Sequence, residues 1–405
     1  MSGAAAFALA YVVSYVFRSA NAVISPELTR ELALDPASLG LLTSVYFLAF
    51  GVMQIPAGML LDRFGPRRVE PVLLAVAAAG ALGFSAAGSL TDLALARAAI
   101  GLGVSVCLMA PLKAIAVWQP PERHATFAGW LMVAGGLGAI SASAPLEFAL
   151  RFASWRTLFV AFGIATLVIA IVMAWRVPDL PPRAQPGGFA AQWAGVRTVF
   201  RNPRFWWIAP LGVFGTGSFM AIQGLWAVPW LIQVDGFTRA QAARVLLAMA
   251  VVMLTGYAFI AMFARRLALQ GIQSRHLFGA GFALNGLALA AITLHAPGVY
   301  LWWSLYSLGS AVNILAFSVL NEGFARELAA RANTALNLMM FIGSFVLQWG
   351  IGIVAEWASD ALHVDGAGGL RAAFALALAA DAIAYAWFAR GWRRHAAIRA
   401  VPARA

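Results

Sequence analysis

The chain has 405 residues, 62% hydrophobic and only 11% charged, with a formal net charge of +12. Soluble domains carry about 25% charged residues, so this composition and a mean hydropathy of +0.81 exclude a soluble class. Nucleic-acid binding is excluded as well, because the basic residues punctuate apolar stretches and form no basic domain or reading motif.

Apolar stretches close to the roughly 20 residues that cross ~30 Å of hydrocarbon recur along the whole chain. Spanning helices satisfy their own backbone hydrogen bonds, as lipid requires. In chain order, helices 1 to 6 are expected near residues 5–26, 38–61, 69–89, 92–118, 125–146 and 155–175. Helices 7 to 12 are expected near 205–225, 240–264, 276–295, 299–320, 332–356 and 370–391. The first stretch contains Ala20-Asn21-Ala22, of the A-x-A form, but no basic residue precedes it and Arg18 interrupts it. It therefore reads as an uncleaved helix and not a signal peptide. Cys107, the single cysteine, lies inside an apolar stretch and can form no intramolecular disulfide.

Between helices 6 and 7, Val177-Pro178-Asp179-Leu180-Pro181-Pro182-Arg183 continues through Gly187-Gly188 to Asn202-Pro203. Such a run of Pro, Gly and Arg reads as a linker. The expected fold is an all-α membrane protein of twelve transmembrane helices. It divides into a six-helix half (1–176), a cytoplasmic linker (177–203) and a second six-helix half with a short cytoplasmic tail (204–405). With the amino terminus inside, nineteen of the 28 basic residues fall on the terminal side and six on the other. Arg18, Arg97 and Lys113 remain inside the bilayer. This bias places both termini in the cytoplasm. A six-plus-six duplication puts a site between the halves at mid-membrane.

Gly58-Met59-Leu60-Leu61-Asp62-Arg63-Phe64-Gly65-Pro66-Arg67-Arg68 lies between helices 2 and 3. An ordinary basic turn accounts for Arg67 and Arg68 but not for Asp62 or the spaced glycines. The segment matches in full the G-x-x-x-D-R-x-G-x-[RK]-[RK] signature of the major facilitator superfamily, which the chain resembles over its whole length. The resemblance implies alternating access and gives Gly58, Asp62, Arg63, Gly65, Arg67 and Arg68 the role of a conformational latch. In the family the acidic residue sits near the cytoplasmic end of helix 11, which here begins near Ala332-Asn333, and a helix amino terminus favours a carboxylate. The second-half copy departs from the signature, with Ala264 before Arg265-Arg266. Tyr15-Val16-Phe17-Arg18 followed by Ser25-Pro26-Glu27-Leu28 resembles the first helix of anion:cation symporters and related organic-acid porters. The Arg97-x-x-x-Gly101-x-Gly103 segment resembles a helix 4 motif of facilitators.

Arg18 falls near the bilayer midplane, where a charge costs at least ~2.5–3.5 kcal/mol. It therefore faces either an aqueous cavity or a fixed partner, for which Asp381, central in helix 12, is the candidate. Tyr11, Ser14, Arg18 and Asn21 share one face of helix 1 by their spacing. This stripe is the leading candidate binding surface, joined by Gln223 and Trp226 on helix 7, Asn313 on helix 10 and Asn337 on helix 11. Each of these polar groups serves equally well as interhelical glue. Lys113, the only lysine, either contacts substrate or snorkels to the headgroups. Arg97 reads as structural or as part of the site. Asp381 and Glu147 are the candidates for proton coupling.

No Gly-Lys-Ser/Thr phosphate loop is present, and the five histidines form no metal set. The expectation is a monomeric, multi-pass inner-membrane transporter and not an enzyme, without cofactor or metal and without a nucleic-acid partner. Its cargo is a small organic anion, taken up with protons; the alternative is efflux of amphipathic drugs by proton antiport.

Overall fold

The computed structural model describes residues 2–179, 194, 197–322, 324 and 326–400. Most of the expected linker, including Pro181, Pro182, Arg183, Gly187 and Gly188, lies outside the described residues, as do Gly323 and Ala325. All regular secondary structure among the described residues is helical. In order come α1 (Ser2–Leu32), α2 (Pro36–Phe64), α3 (Pro66–Ala86), α4 (Leu90–Gly103) and α5 (Met109–Trp118). Then follow α6 (Pro121–Ser141), α7 (Ala144–Ala149) and α8 (Trp155–Arg176). After the linker come α9 (Pro203–Gln233), α10 (Arg239–Leu269), α11 (Ser274–Thr293), α12 (Val299–Asn321), α13 (Arg326–Ala361) and α14 (Gly366–Ala400). Eleven helices among the described residues are long and apolar enough to cross a membrane.

The helices overrun the apolar stretches because polar caps, and not the loss of hydrophobicity, end them. Asp35 accepts from the Ser38 N–H at 2.6 Å and Pro36 occupies the first turn of α2. Ser89 and Ser154 cap α4 and α8 in the same way, and Thr238 with Gln241 forms a capping box on α10. The α2–α3 turn is made at Gly65, whose φ of 77° suits a residue without Cβ.

One expectation is corrected at the fourth stretch, anticipated as a single helix over 92–118. The chain leaves the helix between Val104 and Leu108 and re-enters it as α5. Lipid tolerates such irregular backbone only where it is buried in protein or lines a cavity.

Among α1–α8, α3 packs on α4 and α8, α2 on α4, and α1 on α6 and α8. Among α9–α14, α11 packs on α12 and α14, α13 on α9 and α14, and α10 on α12. The two sets meet chiefly where α2 lies along α13, with α6 against α10 and α1 against α9.

Candidate functional site

A cavity of about 960 Å³ lies between the two sets of helices. Three departures from regular α-helix converge on it. The α4–α5 break contributes Val104, Ser105 and Leu108. Within α9, wide π turns at Gly212–Thr216 and Ile222–Trp226 turn Thr216, Gln223 and Gly224 to the cavity. In α12 a 3₁₀ turn at Ala311–Ile314 presents Asn313 and Ile314. Such turns within helices are frequent at functional sites.

Arg18 is the one charged side chain on the cavity wall among the described residues, and no Asp or Glu lines it. Its guanidinium stands 4.8 Å from the Tyr15 ring centroid, 5.3 Å from Phe50 and 5.6 Å from Phe341. Contacts of this kind contribute from about 0.5 to 2 kcal/mol each as the site becomes drier. The Tyr46 hydroxyl lies close to the same group. Arg18 Nε is buried with no acceptor. The expected alternative, a fixed pair with Asp381, is corrected. Asp381 lies in the interior of the α9–α14 set beside the Ser218 hydroxyl, which also faces Tyr306, and no cation among the described residues meets its carboxylate.

Arg97 is fully buried and holds the chain next to Arg18. Its Nη1 donates to the Phe17 carbonyl at 2.8 Å, and its guanidinium sits over Tyr46 at 4.8 Å. Arg97 thus bonds the backbone one residue from Arg18 and does not line the cavity.

Tyr11, Ser14, Gln223, Asn313 and Asn337 line the cavity with Arg18. Asn21, Trp226 and Lys113 do not. Asn21 Nδ2 donates to Thr43 Oγ1 at 3.0 Å, tying α1 to α2 one turn beyond the cavity. Trp226 Nε1 donates to the Gln348 carbonyl at 2.8 Å, tying α9 to α13. Lys113 pairs with Asp62. That pair gives Asp62 an ionic partner within α1–α8, where the family resemblance pointed to helix 11. Arg67 donates to the Ala174 carbonyl at 3.1 Å, and both Arg67 and Arg68 pair with Asp179. Arg63 lies over the Phe64 ring, and Gly58 borders open space. The signature thus links α2 to α5 through Asp62 and α3 to α8 through Arg67. Glu147, a coupling candidate, is engaged by Arg151 at 3.2 Å and lies off the cavity.

Two features were not anticipated. Glu70 on α3 is fully buried behind the α4–α5 break, with the Cys107 thiol as its polar neighbour. Arg239 on α10 pairs with Glu27 on α1 and donates to the Val23 carbonyl at 3.0 Å. This pair joins the two helix sets at the end of the cavity away from the amino terminus. Toward the other end the lining reaches Leu112, Thr126, Met262, Phe317 and Asn333, close to where α5, α10 and α12 finish and α6 and α13 begin.

The description of the Major Facilitator Superfamily matches residues 7–347. The chain belongs to the major facilitator superfamily. Among its relatives, the hexuronate transporter of Escherichia coli K12 is 26% identical over 386 residues, covering 86% of each chain. A probable sulfoacetate transporter, SauU, of Cupriavidus necator is 25% identical over 248 residues, covering 58% of each. The crystal structure of a bacterial homolog to the human lysosomal transporter Spinster, in an inward-facing and unoccupied conformation, superposes with a TM-score of 0.75 over 95% of both chains. At 17% identity that likeness speaks to the fold alone. The protein is a multi-pass membrane transporter, not an enzyme.

The Asp62–Lys113 pair is partly exposed on both sides, so it contributes no more than about 1 kcal/mol to stability. Asp62→Asn or Lys113→Ala is accordingly expected to leave folding and ligand affinity intact while slowing counterflow in proteoliposomes. The swap Asp62→Lys with Lys113→Asp should recover part of the rate, as a double-mutant cycle for a direct pair requires. Wild-type counterflow in Asp62→Asn would remove the conformational role of this pair.

Proposed function

We propose that the protein is a secondary active transporter that carries a small organic anion into the cell across a bacterial inner membrane, by alternating access and with proton symport. Its helices form twelve passes in two six-helix halves, 1–176 and 204–405, joined by a linker over 177–203. The α4–α5 pair supplies the remaining pass, and both termini are cytoplasmic. The monomer is the working unit. The observation that carries the reading is the wall of the cavity, where among the described residues Arg18 is the lone charge and no carboxylate opposes it. A cavity of that sign attracts an anion and repels the organic cations that a drug-efflux reading would favour. The names of the hexuronate and sulfoacetate transporters, both for anionic cargo, support it. The closed contacts at Glu27–Arg239, with the cavity reaching toward the terminal end, correspond to a state open to the cytoplasm.

The test is thermal unfolding of the purified protein with panels of organic acids, neutral isosteres and organic cations. A ligand at 100 times its Kd stabilises by about 2.7 kcal/mol. Acids alone should raise the midpoint, and Arg18→Ala should erase the rise; stabilisation by cations instead would overturn the reading.

For coupling, Asp381 is the better of the two acids named by the sequence, since Glu147 already holds Arg151. Asp381→Asn is expected to abolish accumulation driven by a pH gradient while sparing substrate counterflow. Undiminished pH-driven accumulation would remove Asp381 from coupling, and loss of folded protein would make it structural.

A further inference from the structure

We infer that the cavity is built for a monocarboxylate with an apolar, aryl-sized body, and not for a polyhydroxylated sugar acid; this rests on the anion reading above. Charge sets the number of carboxylates. One guanidinium, with no second cation on the wall among the described residues, balances one negative charge. Arginine offers a planar fork that takes a single carboxylate through two parallel hydrogen bonds.

The surroundings set the body that follows the carboxylate. The guanidinium is flanked by the rings of Tyr15, Phe50 and Phe341, and the Phe50 and Phe341 centroids are 4.3 Å apart. A ring attached to the bound carboxylate therefore enters an aromatic wall, where offset and edge contacts are favourable. Beyond it the wall is sulfur-rich. Met109, Met132, Met220, Met253, Met262 and Met340 all line this one cavity, half of the twelve methionines in the chain. Thioethers are polarizable, pack against ring edges and adapt to ligands of differing outline.

Apolar side chains make up most of the wall, and several of its polar groups are already committed to protein partners. Asn337 Nδ2 donates to Gln54 Oε1 at 2.8 Å, while Gln54 Nε2 lies 3.3 Å from the Phe50 and Ser105 carbonyls. Ser105 Oγ donates to the Leu102 carbonyl at 2.7 Å. Besides Arg18 Nε, three cavity atoms remain buried without partners: Thr216 Oγ1, Asn313 Oδ1 and Asn333 Oδ1. They can serve one or two polar substituents on a ring. The hydroxyls of a hexuronate would leave water for a wall that is largely aromatic, aliphatic and thioether, which costs affinity for each one that finds no partner among side chains such as Ser14, Ser19 and Gln223.

Isothermal titration of the full-length protein in detergent separates these cases, with phenylacetate, D-glucuronate, phenylacetamide and benzyltrimethylammonium as probes. Phenylacetate should bind at least tenfold more tightly than D-glucuronate, the amide and the quaternary amine should not bind, and Arg18→Ala should lose phenylacetate binding. If D-glucuronate binds as tightly as phenylacetate or better, the aryl inference falls while the organic-anion reading stands. If no probe binds, the aryl inference falls; if the amide or the ammonium ion matches phenylacetate, both fall.

Discussion

Arg18→Ala is expected to abolish substrate binding and transport while leaving the protein folded in the membrane. Truncating one partner of a desolvated charge pair costs about 2–5 kcal/mol, which is a loss of roughly thirtyfold or more in affinity. The fold should tolerate the change because no carboxylate among the described residues depends on Arg18, so no orphaned charge remains there. Its three ring contacts hold the guanidinium in place but are not a helix–helix anchor. Arg18→Lys keeps the charge and loses the fork, and should weaken binding by about tenfold. Arg97→Lys is the informative companion. It removes the hydrogen bond that fixes the Phe17 carbonyl, so it should impair binding through the placement of Arg18, with the Arg18 charge still present. Binding isotherms and size-exclusion profiles of the three variants check this set. Full affinity in Arg18→Ala would eliminate the assigned site.

Breaking the Glu27–Arg239 pair should release the contact between the helix sets at the closed end. The pair links α1 to α10, both side chains are mostly buried, and Arg239 is further held by the Val23 carbonyl. Removing either partner leaves an uncompensated charge in the closed arrangement only, whereas the separated helices can hydrate it. The equilibrium should therefore move toward opening at that end by about 1–2 kcal/mol, a five- to thirtyfold change in population. Steric opposition at the same interface should act in the same direction. A Cβ on Gly40 would lie 2.8 Å from the Gln348 carbonyl, so α2 and α13 cannot close around a large side chain there. Spin labels on α2 and α10 at this end, read by dipolar distance measurements, should show a longer component in Glu27→Gln, Arg239→Ala and Gly40→Leu. An unchanged distance distribution in all three would deny this contact a gating role.

The sequence carried much of this architecture because lipid leaves few options: apolar stretches and the Gly58–Arg68 signature were legible as membrane helices and as a family. Tyr11, Ser14 and Arg18 were legible as one face because spacing along a helix survives folding. Asn21 keeps the same face, but it stands one turn beyond the cavity, and spacing alone does not report depth. The α4–α5 break was hidden because Val104 through Leu108 is as apolar as its flanks, so hydropathy runs through it unchanged. The π turns of α9 were hidden for the same reason. Pairs such as Glu27–Arg239 depend on which helices neighbour one another, and a single sequence does not encode that in any local pattern. The methionines were countable, but their convergence on one wall from α5, α6, α9, α10 and α13 is a property of packing.

The central claim, that Arg18 in this cavity carries an organic anion across the membrane, is tested most directly by counterflow in proteoliposomes. Vesicles loaded with unlabelled phenylacetate and diluted into the labelled compound should show saturable, transient accumulation of label. The accumulation should vanish in Arg18→Ala and be unaffected by an excess of external benzyltrimethylammonium. If neither phenylacetate nor any other organic acid exchanges, or if organic cations exchange equally well in wild type and Arg18→Ala, the account is contradicted.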